Sequence, residues 1–409
     1  MANFRIFRDS AHKPGHLGRA AAAGAVLAGL ALAANAGRLA ETPAAAAAPA
    51  LALIGPGKLG ELRAQPFDRP GRGAASLQRL DAMAAAALAG SPLSHEPFMA
   101  VAAGKLRDGK ALTATDEARL REALRRNPRS REARIMLMRR AIAVGDLRGA
   151  VDQIAGLSQL SSEAAGVLLT GLGKALRSQS QLDQAMAGLK THPELYKPFF
   201  TGFVQTPRAP ALTVRAVAAL PPAALADRDL RAMAIAAMVD ARAFAAARAM
   251  WGAGQGAEAR GLVHSPDFAD AKAPPPFNWE LAANETGAAE REPAGGLIVD
   301  YYGRRPGRLV SQLLTLRPGT YAATARYATL DGVPGAMALT IACAGGGPAM
   351  ASAPLAAKPG PEQALRLSFT VPASGCGGQV IAVSGRVQEM RNAQQVSLRS
   401  IAVSESGQP

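Results

Sequence analysis

Ten arginines fall between Arg119 and Arg148, set against Glu122, Glu132 and Asp146 alone. A guanidinium stays charged at any physiological pH and presents a planar fork of donors, so clustered arginines suit carboxylates and phosphates. Arg125, Arg126 and Arg129 surround one turn, and Arg139 with Arg140 ends the helix after it. Together they form a basic patch for an acidic partner: a uronic-acid polymer, phospholipid head groups or an acidic protein. The competing reading is a solvated helical face with i, i+4 ion pairs. Codon usage would inflate such a face, since arginine outnumbers lysine 37 to 9.

Aromatic side chains offer a second chemistry. Phe277 and Trp279 lie two apart and share one face of a strand, which makes them core or a platform for a sugar ring. Tyr301 and Tyr302 are adjacent and must point to opposite faces, so one of them is exposed and able to stack on a sugar. Trp279, Tyr301 and Tyr302 are therefore the glycan-stacking candidates. Cys343 and Cys376 are the only two cysteines. With no CxxC for redox work or metal, they read as one structural disulfide of an exported chain.

Groups for catalysis are scarce. Beyond the first 36 residues the histidines are His95, His192 and His264, none at metal-ligand spacing from another His, Cys or carboxylate. His192 and His264 each precede a proline-containing break and read as exposed turn residues. No G-x-S-x-G, P-loop or H-E-x-x-H occurs. The expectation is a protein with no catalytic residues, no cofactor and no metal.

The elements that must position these residues are set by the pattern along the chain. Its 409 residues suit two or three domains, and 49% hydrophobic against 19% charged residues excludes wholesale disorder. Residues 1–36 read as a signal peptide or membrane anchor: Arg5, Arg8, Lys13 and Arg19 precede an uncharged run from Ala20 to Ala36. This predicts an inner-membrane protein with its bulk in the periplasm, or a periplasmic or secreted one after cleavage at Ala34-Asn35-Ala36. The net charge is +15. Nucleic acid is the usual partner of so basic a chain, but an exported chain rarely meets it, and none is expected here. Residues 37–73 are a Pro/Ala/Gly-rich linker.

Residues 74–252 carry helical patterning, broken at prolines that sit between the patterned segments. The clearest unit is a helical hairpin. Its first helix carries Ala133, Ile135, Met138 and Ile142, and its second carries Leu147, Ala150, Val151, Ile154 and Leu157. Gly145 suits the end of the first helix and Asp146 the cap of the next. Such a hairpin cannot bury its own apolar face and needs stacked neighbours. Residues 253–276 lose the pattern and read as a second linker ending in Pro274-Pro275-Pro276. Residues 277–409 then alternate with period two. Eight candidate strands occur there: 277–281, 296–302, 309–316, 320–327, 336–343, 364–371, 379–383 and 396–403, separated by Gly/Pro-rich turns. The fold class is a multidomain chain of α and β, a helical-hairpin array followed by an antiparallel, jelly-roll-like β-sandwich.

Two resemblances sharpen this. Leu137, Gly145 and Ala150 sit where a tetratricopeptide repeat has its large apolar residue, its turn glycine and its small second-helix alanine, and Ala185, Ala216 and Ala247 continue the series. Arg134 and Ala141 replace the motif's tryptophan and tyrosine. The 277–409 region is similar to the β-sandwich of carbohydrate-binding modules in strand count, in Leu316-Arg317-Pro318-Gly319-Thr320-Tyr321 and in its final alternating strand. The first resemblance implies a scaffold that binds a protein partner through its repeats. The second implies glycan binding linked to envelope or exported polysaccharide. A glycan-active enzyme is a third, lesser reading.

Overall fold

A computed structural model describes residues 73–90, 92–253, 261–356, 358–386 and 393–406. The basic start, the Ala20–Ala36 run and the linker up to residue 72 lie outside the described residues. Among the described residues no helix is long and apolar enough to cross a membrane.

Eleven α-helices precede the strands among the described residues: α1 (Gly73–Gly90), α2 (Glu96–Arg107), α3 (Ala114–Arg126), α4 (Arg131–Val144), α5 (Leu147–Ser158), α6 (Ser162–Ala175), α7 (Gln179–Leu189), α8 (Tyr196–Val204), α9 (Pro210–Ala218), α10 (Arg228–Asp240) and α11 (Phe244–Gly252). Their ends are written in the local sequence. At α3, Thr113 and Asp116 close a capping box: each side chain takes the other's backbone N–H. At α4, Ser130 caps the start, and Gly145 at φ 79° ends the helix in the left-handed region that glycine tolerates. The Asp146 carboxylate then accepts the Gly149 N–H at 2.9 Å and opens α5. The stripe expected on α5 is buried, Leu147, Ala150, Val151, Ile154 and Leu157 being at most 6% exposed; on α4 Ala133, Leu137 and Met138 are buried, while Ile135 and Ile142 are half-buried. Successive helices from α1 to α6 pack on one another, so a helical array is present. Further on, α6 lies against α8, and the approach is close because Gly173 faces the Phe199 carbonyl and Gly202 the Thr170 carbonyl.

The strands are β1 (Glu280–Leu281), β2 (Gly287–Arg291), β3 (Leu297–Tyr301), β4 (Gly307–Leu314), β5 (Gly319–Gly332), β6 (Met337–Cys343), β7 (Ala349–Pro354), β8 (Gln363–Val371), β9 (Gln379–Gly385) and β10 (Gln394–Glu405). They form two antiparallel five-stranded sheets, ordered β1-β4-β9-β6-β7 and β2-β3-β10-β5-β8. Leu297, Val299, Tyr327, Val396 and Leu398 of the second sheet share one core with Leu339, Ile341, Ile381 and Val383 of the first. This is the expected β-sandwich. Two strands go beyond the eight expected, β2 (GAAER) and β7 (AMASAP), and both are edge strands of alanine-rich sequence. An edge strand needs only one side satisfied by pairing, so it forms without the β-branched residues that mark an internal one.

The described part of the segment expected as a linker, residues 261–276, is packed instead. The described part of the chain divides into two compact units, one running up to Arg208 with Ala218–Leu230, the other holding Ala209–Val217 with Arg231 onward. α11 thus belongs with the sandwich. Phe244 sits on Gly377 and Gly378, and the Trp251 indole N–H donates to the Pro274 carbonyl at 2.8 Å. Trp251 also lies 5.9 Å from Phe277 and 4.9 Å, edge to face, from His264. Val263, His264, Phe268 and Ala273 are buried. His264 is therefore no exposed turn residue. Its backbone N–H and carbonyl are both held by the Gln312 amide at 2.9 Å, and its Nε2 meets Asp270 Oδ2 at 2.7 Å. Trp251 from the preceding helix and Gln312 from β4 enclose it, and local sequence reveals neither.

Candidate functional site

Strand β3 decides the fate of the aromatic candidates. Its alternation turns Leu297, Val299 and Tyr301 into the core, which leaves Asp300 and Tyr302 for the opposite face. Tyr301 is 1% exposed, its ring lying on the bare backbone of Gly385, and burial pushes its hydroxyl above the ordinary tyrosine value. Trp279 is 3% exposed. Its indole N–H donates to the Ser265 carbonyl at 2.7 Å, and its ring packs 4.9 Å from Phe268. Both belong to the interior and cannot stack on a ligand. Tyr302, 46% exposed, is the candidate that reaches solvent.

What surrounds Tyr302 is set by sheet register. On β10, Gln394 stands opposite Tyr301 and Gly332, and Gln395 stands opposite Asp300 and Asp331. Residues opposite one another in an antiparallel ladder share a face, so Asp300, Gln395 and Asp331 form a polar row, and Tyr302 follows two residues beyond Asp300. The Gln395 amide N–H donates to Asp300 Oδ1 at 2.6 Å. Leu330 and Val333, flanking Asp331, are 45% and 41% exposed. Glycines close this end of the sandwich: at Gly287, Gly332 and Gly385 a side chain would run into Asp300, Ala393 and Tyr301 respectively. This end thus carries two carboxylates and an amide in register, with Tyr302, Leu330 and Val333 exposed near them in the sequence. A pyranose presents this mixture in complement, with C–H faces for the ring and hydroxyls for the acids. Asp300 was legible from sequence as the residue two before Tyr302. Gln395 and Asp331 were not, because only the register brings them there.

The basic patch is partly neutralised where it stands. Glu122 takes the Nε–Nη2 fork of Arg125 at 2.7 Å and the Arg126 Nε–H at 2.7 Å. Hydrogen bonds from Arg125 first and Arg126 second hold its carboxyl down at about 2. Arg126 also lies 4.3 Å over the Phe98 ring. Glu117 is likewise shared, by Arg121 at 2.7 Å and Arg140 at 3.6 Å. Arg129 is exposed and Arg139 half-buried, and among the described residues neither has an acid within ion-pair distance. Burial alone draws the Arg139 guanidinium below its ordinary value. The i, i+3 and i, i+4 pairs expected of a solvated face are present, and an excess of guanidinium remains.

Cys343 and Cys376 are joined in a disulfide, with Cα atoms 5.3 Å apart. It ties the end of β6 to the turn before β9, its neighbour in the sheet. The His264–Asp270 pair was not anticipated. Burial would raise the Asp270 carboxyl, but His264 and the backbone N–H groups of Ala273 and Lys272 outweigh it and hold the group below the usual carboxylate range. The imidazole is 1% exposed, so the pair anchors the approach to β1 and does not face a substrate. Among the described residues no group of three His, Cys, Asp or Glu side chains is placed to hold a metal ion.

No protein-family model matches the chain, and no curated protein matches it either. Solved structures are similar to its C-terminal part. TmCBM61, in complex with β-1,4-galactotriose, is 15% identical over 36% of this chain and 99% of its own, at a TM-score of 0.26. A CBM4 structure is 14% identical over 35% of this chain and 99% of its own, at 0.27. A cyclase from Fischerella sp. TAU, in complex with 4-(1H-indol-3-yl)butan-2-one, is 14% identical over 36% and 98%, at 0.26. Carbohydrate-binding modules and an enzyme thus stand side by side at equal likeness. Scores of this size carry no functional argument, and any role for the chain has to be read from its own side chains.

Proposed function

We propose that this chain is a non-catalytic binding protein of the cell envelope, whose β-sandwich holds carbohydrate on the Tyr302 platform. The observation that carries the reading is the hydrogen-bonded Asp300–Gln395 pair with Asp331 in register, together with the exposed Tyr302 two residues beyond Asp300. Tyr302 supplies a stacking face, and the polar row supplies acceptors and a donor for hydroxyls. A single stacking face with a short polar row implies modest affinity.

Export of the protein is supported by the basic start followed by the uncharged Ala20–Ala36 run, and by a disulfide that an oxidising compartment would preserve. The helical array is read as a divergent tetratricopeptide-like scaffold for a protein partner. That reading is supported by the turn glycine Gly145 at φ 79° and by the buried Leu137 and Ala150. The test uses the purified full-length chain and a panel of neutral and acidic oligosaccharides followed by calorimetry. Saturable binding to at least one glycan is expected, falling about tenfold or more in Tyr302→Ala and Gln395→Ala. Absence of binding across the panel, or binding that both variants leave intact, would sink the platform. Turnover of a bound glycan would refute the non-catalytic reading.

A further inference from the structure

Each of two carboxylates on α3 is shared by two guanidiniums. Glu117 serves Arg121 and Arg140, and Glu122 serves Arg125 and Arg126. One carboxylate can neutralise one guanidinium, so each cluster keeps an excess positive charge. Five residues separate the two acids, about 7–8 Å along the helix axis and ~140° around it, while Arg121 and Arg125, four residues apart, share one face. Arg129, exposed just beyond the end of α3, adds a further cation with no acid beside it among the described residues. The outcome is a ridge of repeated, half-compensated charge whose geometry already accepts carboxylates.

We propose that this ridge on α3 and α4 docks a carboxylated polysaccharide. One observation favours a repeating polyanion over a folded protein: the exposed Arg121 and Arg125 stand one turn apart on one face of α3, a spacing that suits a ligand whose carboxylates themselves repeat. Incoming carboxylates take the second fork of Arg125 and Arg121, at 74% and 71% exposure the two most accessible guanidiniums of the clusters. The site is independent of the Tyr302 platform and stands or falls without it.

The experiment uses the purified full-length chain carrying Tyr302→Ala, which silences the sandwich platform. Labelled alginate oligomers are titrated in, with dextran as the uncharged control and polyglutamate as the peptide-like one. Saturable alginate binding that dextran does not share is expected, weakening steeply with added salt. Arg121→Glu combined with Arg125→Glu should weaken it about tenfold or more. Arg129→Glu, at an exposed residue with no side-chain partner to lose, should weaken it in the same direction and guards against misfolding of the double variant. The proposal is overturned if alginate does not bind, if these variants keep full affinity, or if polyglutamate binds as tightly as alginate.

Discussion

Asp116 shows how one side chain can hold two neighbours in place. It is 1% exposed, receives Lys105 Nζ at 2.7 and 2.9 Å, and closes the capping box with Thr113. Burial would raise its carboxyl, but the bonds from Lys105 and Thr113 outweigh that and leave it below 3.8. A depressed folded value means that the carboxylate stabilises the fold at every pH above about 4. The contribution drains away as acid carries the pH below its unfolded value and through the folded one. Asp116→Asn should therefore lower stability at pH 7 by about 2–3 kcal/mol, between the loss of a cap and the loss of a buried ion-pair partner. The gap to the parent should narrow in denaturant melts repeated near pH 3, and a gap independent of pH would contradict the assignment. At this scale the sequence was informative wherever period two applied. Tyr301 and Tyr302 had to part company, and the side that faces out carries Asp300 with it. Trp279 yielded no such decision, because the strand expected over 277–281 forms only at Glu280–Leu281, and Phe268 and Ser265 from earlier in the chain enclose the indole before it.

Helices and strands show where local pattern suffices and where it stops. Caps and turn glycines marked helix ends because their chemistry is local: Ser130, Gly145 and Asp146 act within four residues of where they stand. The pairing of α6 with α8 was invisible, since it depends on two glycines 29 residues apart meeting opposite carbonyls. This contact gives a sharp contrast between two glycines on neighbouring helices. Gly202→Ala places a β-carbon against the Thr170 carbonyl and should cost about 1–3 kcal/mol as the backbones separate. Gly166→Ala, within α6 but with no atom near its new methyl, should stabilise by up to about 1 kcal/mol through helix propensity. Thermal melts of the two variants moving in opposite directions would support the close contact, and a neutral Gly202→Ala would refute it. The alanine-rich edges β2 and β7 were missed for a related reason, their pairing being imposed by β3 and β6.

For the molecule as a whole, the sandwich and the helical array were both legible, because a change of hydrophobic period survives any composition bias. The junction was not. A stretch without period reads as a linker, although Trp251, His264, Phe268 and Phe277 fill it with ring contacts drawn from across 27 residues. The disulfide belongs to this scale too. It closes a loop of 33 residues that includes β7 and β8, worth about 3–4 kcal/mol by chain entropy. The Cys343→Ser, Cys376→Ser double variant should lose roughly that much in urea titrations. Reducing agent should lower the parent's midpoint to match while leaving the variant's unchanged.

The seating of Phe244 on Gly377 and Gly378, with the Trp251 indole fastened to Pro274, bears on how this chain can be divided. A protein trimmed to begin at the triple proline would emerge with a bare glycine floor and an empty slot beside Phe277. Sticky surface of that kind favours clumping over a clean monomer. A cut placed far enough upstream lets the strands keep the helix that roofs them.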